Sequence, residues 1–341
     1  MRRNVWIGLI ISVALIIVIA WSVDLSESFK ALASADFRWI IPALALLAVS
    51  LTIRAWRWRY LMEPIKLIST ARLFSAMMIG FMGNMLLPAR IGEIIRAYVV
   101  GKTQRVSTSA SLATVVVERM LDGFTLLAIL VGAILLIHLP ADSEKLTTYI
   151  RTAGWLAFGL YLCVLAFCVF LRLYGGPTRR ILMKALFLVP DRWKEFIGRL
   201  LDAFVHGLEV VKGGWHLVPI VGLSVVAWCI QGVVNWLVLL AFHLDLTIGA
   251  GFFVMAIQTF GVMIPSSPGF IGTYHAATIL ALAAYGISRD VALSVSIVMH
   301  LTFFIPVSIA GFVCLWVENL SFADITQAPE EAQPLAMGEE G

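Results

Sequence analysis

The sequence predicts an all-α polytopic membrane protein with about six full spans and two re-entrant helical hairpins arranged as inverted repeats. Three observations predict it. Of 341 residues 60% are hydrophobic and only 13% charged, with a mean hydropathy of +0.93; a soluble domain carries nearer ~25% charge. Apolar runs long enough for ~30 Å of hydrocarbon recur along the chain. Two further apolar segments, 72–102 and 249–287, are each broken in the middle by Pro and Gly, at "LLPARIG" and "PSSPGFIG".

Full spans are expected near 5–23, 39–56, 111–137, 153–173, 217–241 and 291–316. The start, "MRRNVWIGLIISVALIIVIAWSV", is too long in its apolar part for a signal peptide and lacks an A-x-A site, so it reads as an uncleaved first span. Non-helical backbone at membrane depth is tolerated only where protein or a wet cavity covers it. Segments 72–102 and 249–287 are therefore expected as pairs of half-helices meeting at a loop. Their breaks align without a gap, "PARIGE" at 88–93 against "PGFIGT" at 268–273. An odd number of expected spans separates them, which inverts one copy relative to the other, and such repeats place a ligand site near the midplane of transporters.

The basic residues orient the chain. With the N-terminus inside and each hairpin returning to its own side, 17 Lys/Arg fall inside and 5 outside. The inside set includes all five from Arg54 to Arg72, and Arg90, Arg96 and Arg119 remain at membrane depth. Both termini are then cytoplasmic, in a bacterial-type inner membrane. Trp39 and Trp155 outside, and Trp56, Trp58, Trp215 and Trp316 inside, are expected as interfacial anchors. Amphipathic spacing over 178–212 predicts interfacial helices, either a plain anchor or a docking surface for anionic lipid. Residues 1–318 are expected to form one membrane domain and 319–341, rich in Glu, Ala and Pro, a disordered tail. The four cysteines lie in apolar runs and imply no disulfide framework.

Charges at a span centre cost ~2.5–3.5 kcal/mol each on insertion scales, so they are expected to face a cavity or a partner. At the first tip, Arg90 precedes Gly92, and Glu93 opens the next half-helix with Arg96 at i+3. This tip reads either as an internal ion-pair lock or as a site for an anionic headgroup. In "VVVERMLDG", Glu118 and Asp122 share a helix face, Arg119 reaches Asp122 at i+3, and the excess negative charge is expected to meet Arg90 or Arg96. At the second tip, Thr273 is expected as an N-cap and the amides from Gly269 through Gly272 to Tyr274 as an anion nest, with His275 in the first turn as a hydrogen-bonded spacer or a proton relay. Gln231 and Asn235 at i,i+4 are expected to bond between helices, and His300 stays ambiguous.

"GKT" at 101–103 has Arg96 where a phosphate-binding loop needs glycine, so ATP is not the direct energy source. No metal-ligand motif, other cofactor or nucleic-acid partner is expected.

"RAWRWRYLM", "NMLLPARIGEIIRAY", "VVVERMLDG" and "PSSPGFIGTYHAA" together resemble the lysylphosphatidylglycerol synthase transmembrane family, also called flippase-like domain proteins, over roughly residues 5–317. The longest members of that family fuse the membrane region, which moves aminoacylated lipid, to a soluble transferase that makes it. The resemblance implies translocation without synthesis, of a phospholipid or isoprenoid-linked lipid, with a separate lipid-modifying enzyme as a candidate partner. Many relatives carry a second glycine where this chain has Phe270, which leaves the headgroup open. Two other readings stand beside it. An intramembrane lipid phosphatase or transferase would use Ser266 or Ser267 with His275, and a non-catalytic scaffold would need none of these residues.

The orientation is testable by cysteine labelling in a cysteine-free background. Ser143→Cys should label from outside, and Met183→Cys and Glu330→Cys should not; external labelling at position 183 would sink the topology.

Overall fold

The computed structural model describes residues 10, 13–19, 23–87, 90–136, 214–264 and 266–326, with scattered positions between 148 and 170. Among them the regular structure is entirely helical. The helices are α1 (Leu25–Ser34), α2 (Ile40–Met62), α3 (Thr70–Leu86), α4 (Gly92–Gln104) and α5 (Thr108–Leu136), then α6 (Gly214–Ala241), α7 (Ile248–Met263), α8 (Ile271–Ala283) and α9 (Arg289–Val317). Among the described residues three helices are long and apolar enough to cross a membrane: Phe37–Met62, Leu217–Ala241 and Arg289–Val317. The expected spans at 5–23 and 153–173 are described only at scattered positions, and the interfacial helices expected at 178–212 lie outside the described residues.

Local chemistry sets the ends. Asp24 caps α1, accepting hydrogen bonds from the Ser26 and Glu27 amides at 2.8 and 3.4 Å. Ser69 and Ser288 cap α3 and α9 in the same way, each with its hydroxyl accepting from an amide three residues on. Helix α1, which the sequence reading did not anticipate, is tied to α9: Ser294 Oγ donates to the Ser28 carbonyl at 2.7 Å, and the Asp24 amide donates to Asp290 at 2.7 Å.

Both apolar segments break where Pro and Gly interrupt them. α3 stops at Leu86 and α4 restarts at Gly92; α7 stops at Met263 and, after a 3₁₀ turn at Pro268–Phe270, α8 restarts at Ile271. Residues at matching places in the two breaks, Arg90 and Phe270, both take left-handed backbone, with φ of 54° and 57°. That conformation is uncommon for a non-glycine residue.

The packing partners follow a matching order. α2 lies along α6, α3 folds back on α4, and α7 folds back on α8. The long helix α9 packs on α3, while α5 packs on α7. Small residues permit the hairpins. A Cβ on Gly92 would collide with the Gly80 carbonyl oxygen and the Asn84 side chain, and one on Gly261 would collide with Ala277. One buried cluster gathers around Trp58, Met77, Met78 and Met82, a second around α7 and α9.

Three expectations are corrected. α2 continues to Met62, six residues beyond the expected end, because Arg54 and Arg57 find partners within the protein rather than at the interface. The inside charge tally loses both and keeps its sign. Trp58, expected as an interfacial anchor, is fully buried, its Nε1 donating to Thr114 Oγ1 at 2.9 Å. At the start of the tail expected to be disordered, residues 322–326 are helical, Ile325 is fully buried, and Lys102 Nζ donates to Asp324 at 2.6 Å, while 327–341 lie outside the described residues. That bond holds the Asp324 carboxyl well below the usual carboxylate range.

The hairpin contact makes a test. Gly92→Val should lower the melting temperature and folded yield sharply, since backbone rather than a flexible side chain fills the space. Gly123→Ala, with open space around it, should be neutral or slightly stabilising; equal melting curves for the two variants would refute the close approach.

Candidate functional site

The acidic pair on α5 organises the interior. Glu118 and Asp122, one turn apart, are 1% and 4% exposed. Two carboxylates in such surroundings need cations and donors nearby. Arg57, with no exposed surface, supplies most of them. Its guanidinium donates to Glu118 at 2.8 Å and to both oxygens of Asp122, and also to Ser224 Oγ on α6 at 2.7 Å. Arg96 reaches Glu118 at 3.1 Å and lies over the Trp58 ring at 4.8 Å. Arg54 lies 3.8 Å from Asp122 and stacks on Trp228, whose Nε1 donates to Asp122 at 3.0 Å. Helices α2, α4, α5 and α6 therefore share one polar knot.

Arg119 points differently. It is 37% exposed, and its ion contacts to Glu93, Glu118 and Asp122 are long, at 3.7–3.8 Å. Its Nε and Nη2 make no hydrogen bond among the described residues. Glu93 instead accepts from Asn84 Nδ2 at 3.3 and 3.4 Å, while Asn84 Oδ1 accepts from the Gly92 amide at 2.7 Å. Asn84 thus caps α4 from across the hairpin, which supplies the restart with a partner that its own N-cap, Ile91, lacks. Arg90 is exposed, and its guanidinium sits over the Phe270 ring at 4.9 Å. The two tips meet at that contact.

Between the tips, α2 and α6 lies a cavity of about 210 Å³. Arg54, Arg90, Glu93 and Arg119 bring its charge, and Gln231, Asn235, Gln258, Tyr274 and His300 bring uncharged polar groups. Leu47, Leu51, Val234, Val238 and Met255 form apolar wall.

The sequence-predicted residues separate into three places. Arg90, Glu93 and Arg119 line the cavity. Arg96, Glu118 and Asp122 are buried in the ion network beside it, and Arg96 pairs with Glu118 rather than with Glu93 as its i,i+3 spacing suggested. Of the two cations expected to meet the acids, Arg90 or Arg96, it is Arg96 that pairs with Glu118, and Arg57, which was not expected, bridges Glu118 and Asp122. Gly269, Gly272, Thr273 and His275 are not among the cavity-lining residues. Gly269, at φ 72°, faces the Met85 carbonyl and Phe304. Thr273 is not an N-cap: α8 begins two residues earlier, and the Thr273 hydroxyl donates to the Phe270 carbonyl at 3.4 Å. His275 Nδ1 lies 2.8 Å from Ser296 Oγ on α9, in keeping with the hydrogen-bonded spacer. Of the expected interhelical pair, Asn235 donates to Gln258 at 2.6 Å, and Gln231 makes no hydrogen bond among the described residues.

Sequence reasoning missed Arg54, Arg57 and Tyr274 as site residues. "RAWR" sets Arg54 and Arg57 three apart on one helix face, which was the available signal. Their position at a span end made them read as interfacial charges.

Residues 5–311 match the profile of the lysylphosphatidylglycerol synthase TM region. The chain belongs to this family. Its similarity to individual members is modest but long. The glycosyltransferase AglD of Haloferax volcanii is 25% identical over 325 residues, covering 88% of this chain and 52% of that relative. This family member thus spans about half of that relative's length. A UPF0104 membrane protein of Methanothermobacter thermautotrophicus is 27% identical over 89% of this chain and 91% of its own, and one of Pyrococcus horikoshii 24% over 90% and 95%.

The network predicts a specific coupling. Arg57→Gln or Asp122→Asn alone should destabilise by about 3–5 kcal/mol, because each strands a buried partner. The double variant should recover at least about 1 kcal/mol of the summed loss, whereas Arg90→Gln with Asp122→Asn should add within about 0.5 kcal/mol. Melting curves on the three single and two double variants decide it; additive losses for Arg57 with Asp122 would deny the contact.

Proposed function

We propose that this protein moves a lipid with a phosphate-bearing headgroup, a phospholipid or an isoprenoid-linked lipid, across the cytoplasmic membrane. One observation carries the reading: three arginines line a cavity between two broken helices, against one carboxylate, and among the described residues Arg119 Nε and Nη2 have no hydrogen-bond partner while Arg90 rests on the Phe270 ring. Arginine suits phosphate because its planar fork donates two parallel bonds and never loses its charge. Arg90 and Arg119 hold the phosphate, Arg54 adds field, and the Arg57–Glu118–Asp122–Arg96 knot fixes the helices that present them. The acyl or isoprenoid tail stays in lipid.

The two hairpins act as re-entrant, inverted repeats. Supporting this are helix lengths of 17, 13 and 29 residues in the first copy and 16, 13 and 29 in the second. The left-handed residues at matching tips and the exchanged packing, α9 on α3 and α5 on α7, support it as well. The headgroup passes between the tips by separation of the Arg90–Phe270 contact, with both termini cytoplasmic. A lipid-modifying enzyme on a separate chain would supply or receive the lipid. The phosphatase reading draws less support: a nucleophilic serine needs a base beside it, His275 is hydrogen-bonded to Ser296, and buried Ser266 Oγ has no partner among the described residues.

Leaflet exchange in liposomes tests the proposal. Arg90→Ala should reduce exchange of a labelled anionic lipid at least about a hundredfold, the scale of ~2.7 kcal/mol, with an unchanged melting curve. Arg90→Lys should rescue in part. Wild-type exchange by folded Arg90→Ala would leave the tip charge with no role in transport.

A further inference from the structure

The cavity wall also carries uncharged polar groups, and their chemistry bears on which headgroup fits; this inference rests on the headgroup-site reading above. Four side chains there keep a hydrogen-bonding group uncommitted among the described residues. His300 is 8% exposed, its ring stacks on Tyr274 at 4.7 Å and lies against the Gly269 backbone, yet its buried Nε2 has no partner. Asn235 is 5% exposed and spends its Nδ2 on Gln258 at 2.6 Å, which leaves its Oδ1 without a donor. Gln258 is itself satisfied, donating to Thr278 at 2.9 Å, so the Asn235 orientation is held. The Gln231 amide and the Tyr274 hydroxyl complete the set, and all four residues line the cavity.

Uncommitted polar groups held rigidly in a largely apolar wall are costly unless a ligand or water meets them, and they discriminate strongly for a ligand that carries matching hydroxyls. Acceptors and donors are mixed here, as hydroxyls require, since each hydroxyl both gives and takes. An amine finds the opposite. Arg54, Arg90 and Arg119 repel it, and the lone lining carboxylate, Glu93, already accepts from Asn84 and lies 3.7 Å from Arg119.

We infer that the cavity takes a phosphate joined to an uncharged polyhydroxyl group, a sugar or polyol, with the phosphate at Arg90 and Arg119 and the hydroxyls at Gln231, Asn235, Tyr274 and His300, and that it disfavours an aminoacylated or other amine-bearing headgroup.

Binding of soluble headgroups to the purified full chain in detergent tests this without requiring transport. Hexose 1-phosphate should bind at least about tenfold tighter than inorganic phosphate, as two or three net hydrogen bonds allow, and phosphoethanolamine should bind more weakly than phosphate. Gln231→Leu with Tyr274→Phe, which keeps the ring stacked on His300, should bring hexose 1-phosphate down to the phosphate level and leave phosphate unchanged. Arg90→Ala should weaken all three. Equal binding of hexose 1-phosphate and phosphate, tighter binding of phosphoethanolamine, no binding of any probe, or an unaltered preference in the double variant would each overturn the inference. Arg90-dependent lipid exchange alongside any of those results would keep the translocation reading and discard only this headgroup class.

Discussion

Two carboxylates on one face of α5, deep in an apolar interior, are the constraint around which the rest is arranged. Glu118 and Asp122 cannot stand there alone, and a single cation cannot satisfy both with good geometry. Arg57 bridges them from α2, Arg96 closes on Glu118 from α4, and Trp228 and Ser224 join from α6. Four helices are thereby registered to one point. The knot also divides the arginines by role. Arg57 and Arg96 are buried inside it and pair with the two acids, whereas Arg119, the neighbour of Glu118 in sequence, is part-exposed and lines the cavity. An interior charge pair thus places an available charge one residue away from itself.

The two tips solve the same backbone problem with different side chains, and the cavity inherits the difference. Each break restarts a helix after a left-handed residue. In the first break that residue is Arg90, and Asn84 and Glu93 stand nearby with polar side chains. In the second break it is Phe270, followed by Tyr274 and backed by His300. Stacking of Arg90 on Phe270 joins the unlike halves, the apolar ring offering its face to a cation. Charged side chains and uncharged polar side chains then line a single space.

Much of the fold was legible because its signals are local. Apolar length defined α2, α5, α6 and α9 to within a few residues at most ends, and Pro with Gly marked both breaks. The end of α2 was misread for a non-local reason: whether an arginine near a span terminus goes to water or into the core depends on what the opposing helices offer. At Arg54 and Arg57 they offer Asp122 and Glu118, 61 to 65 residues away in sequence for the Arg57 bonds. Trp58 followed the same helix face inward. Thr273 was misread because α8 starts two residues before it, a boundary that the left-handed Phe270 sets and no side-chain pattern announces.

By itself the sequence determined the class of environment, the helical content, the two breaks and the residue types that could serve a charged ligand, because hydrophobicity, proline and glycine act on the few residues beside them. Tertiary structure decided which of those residues are occupied and which are free. Eight charged side chains at or beside the first hairpin differ little in local sequence, yet packing sends Arg57, Arg96, Glu118 and Asp122 into mutual contact and leaves Arg54, Arg90, Glu93 and Arg119 on the cavity wall. The reason is that pairing in a low-dielectric interior is settled by distances across helices, which spacing along one helix does not encode.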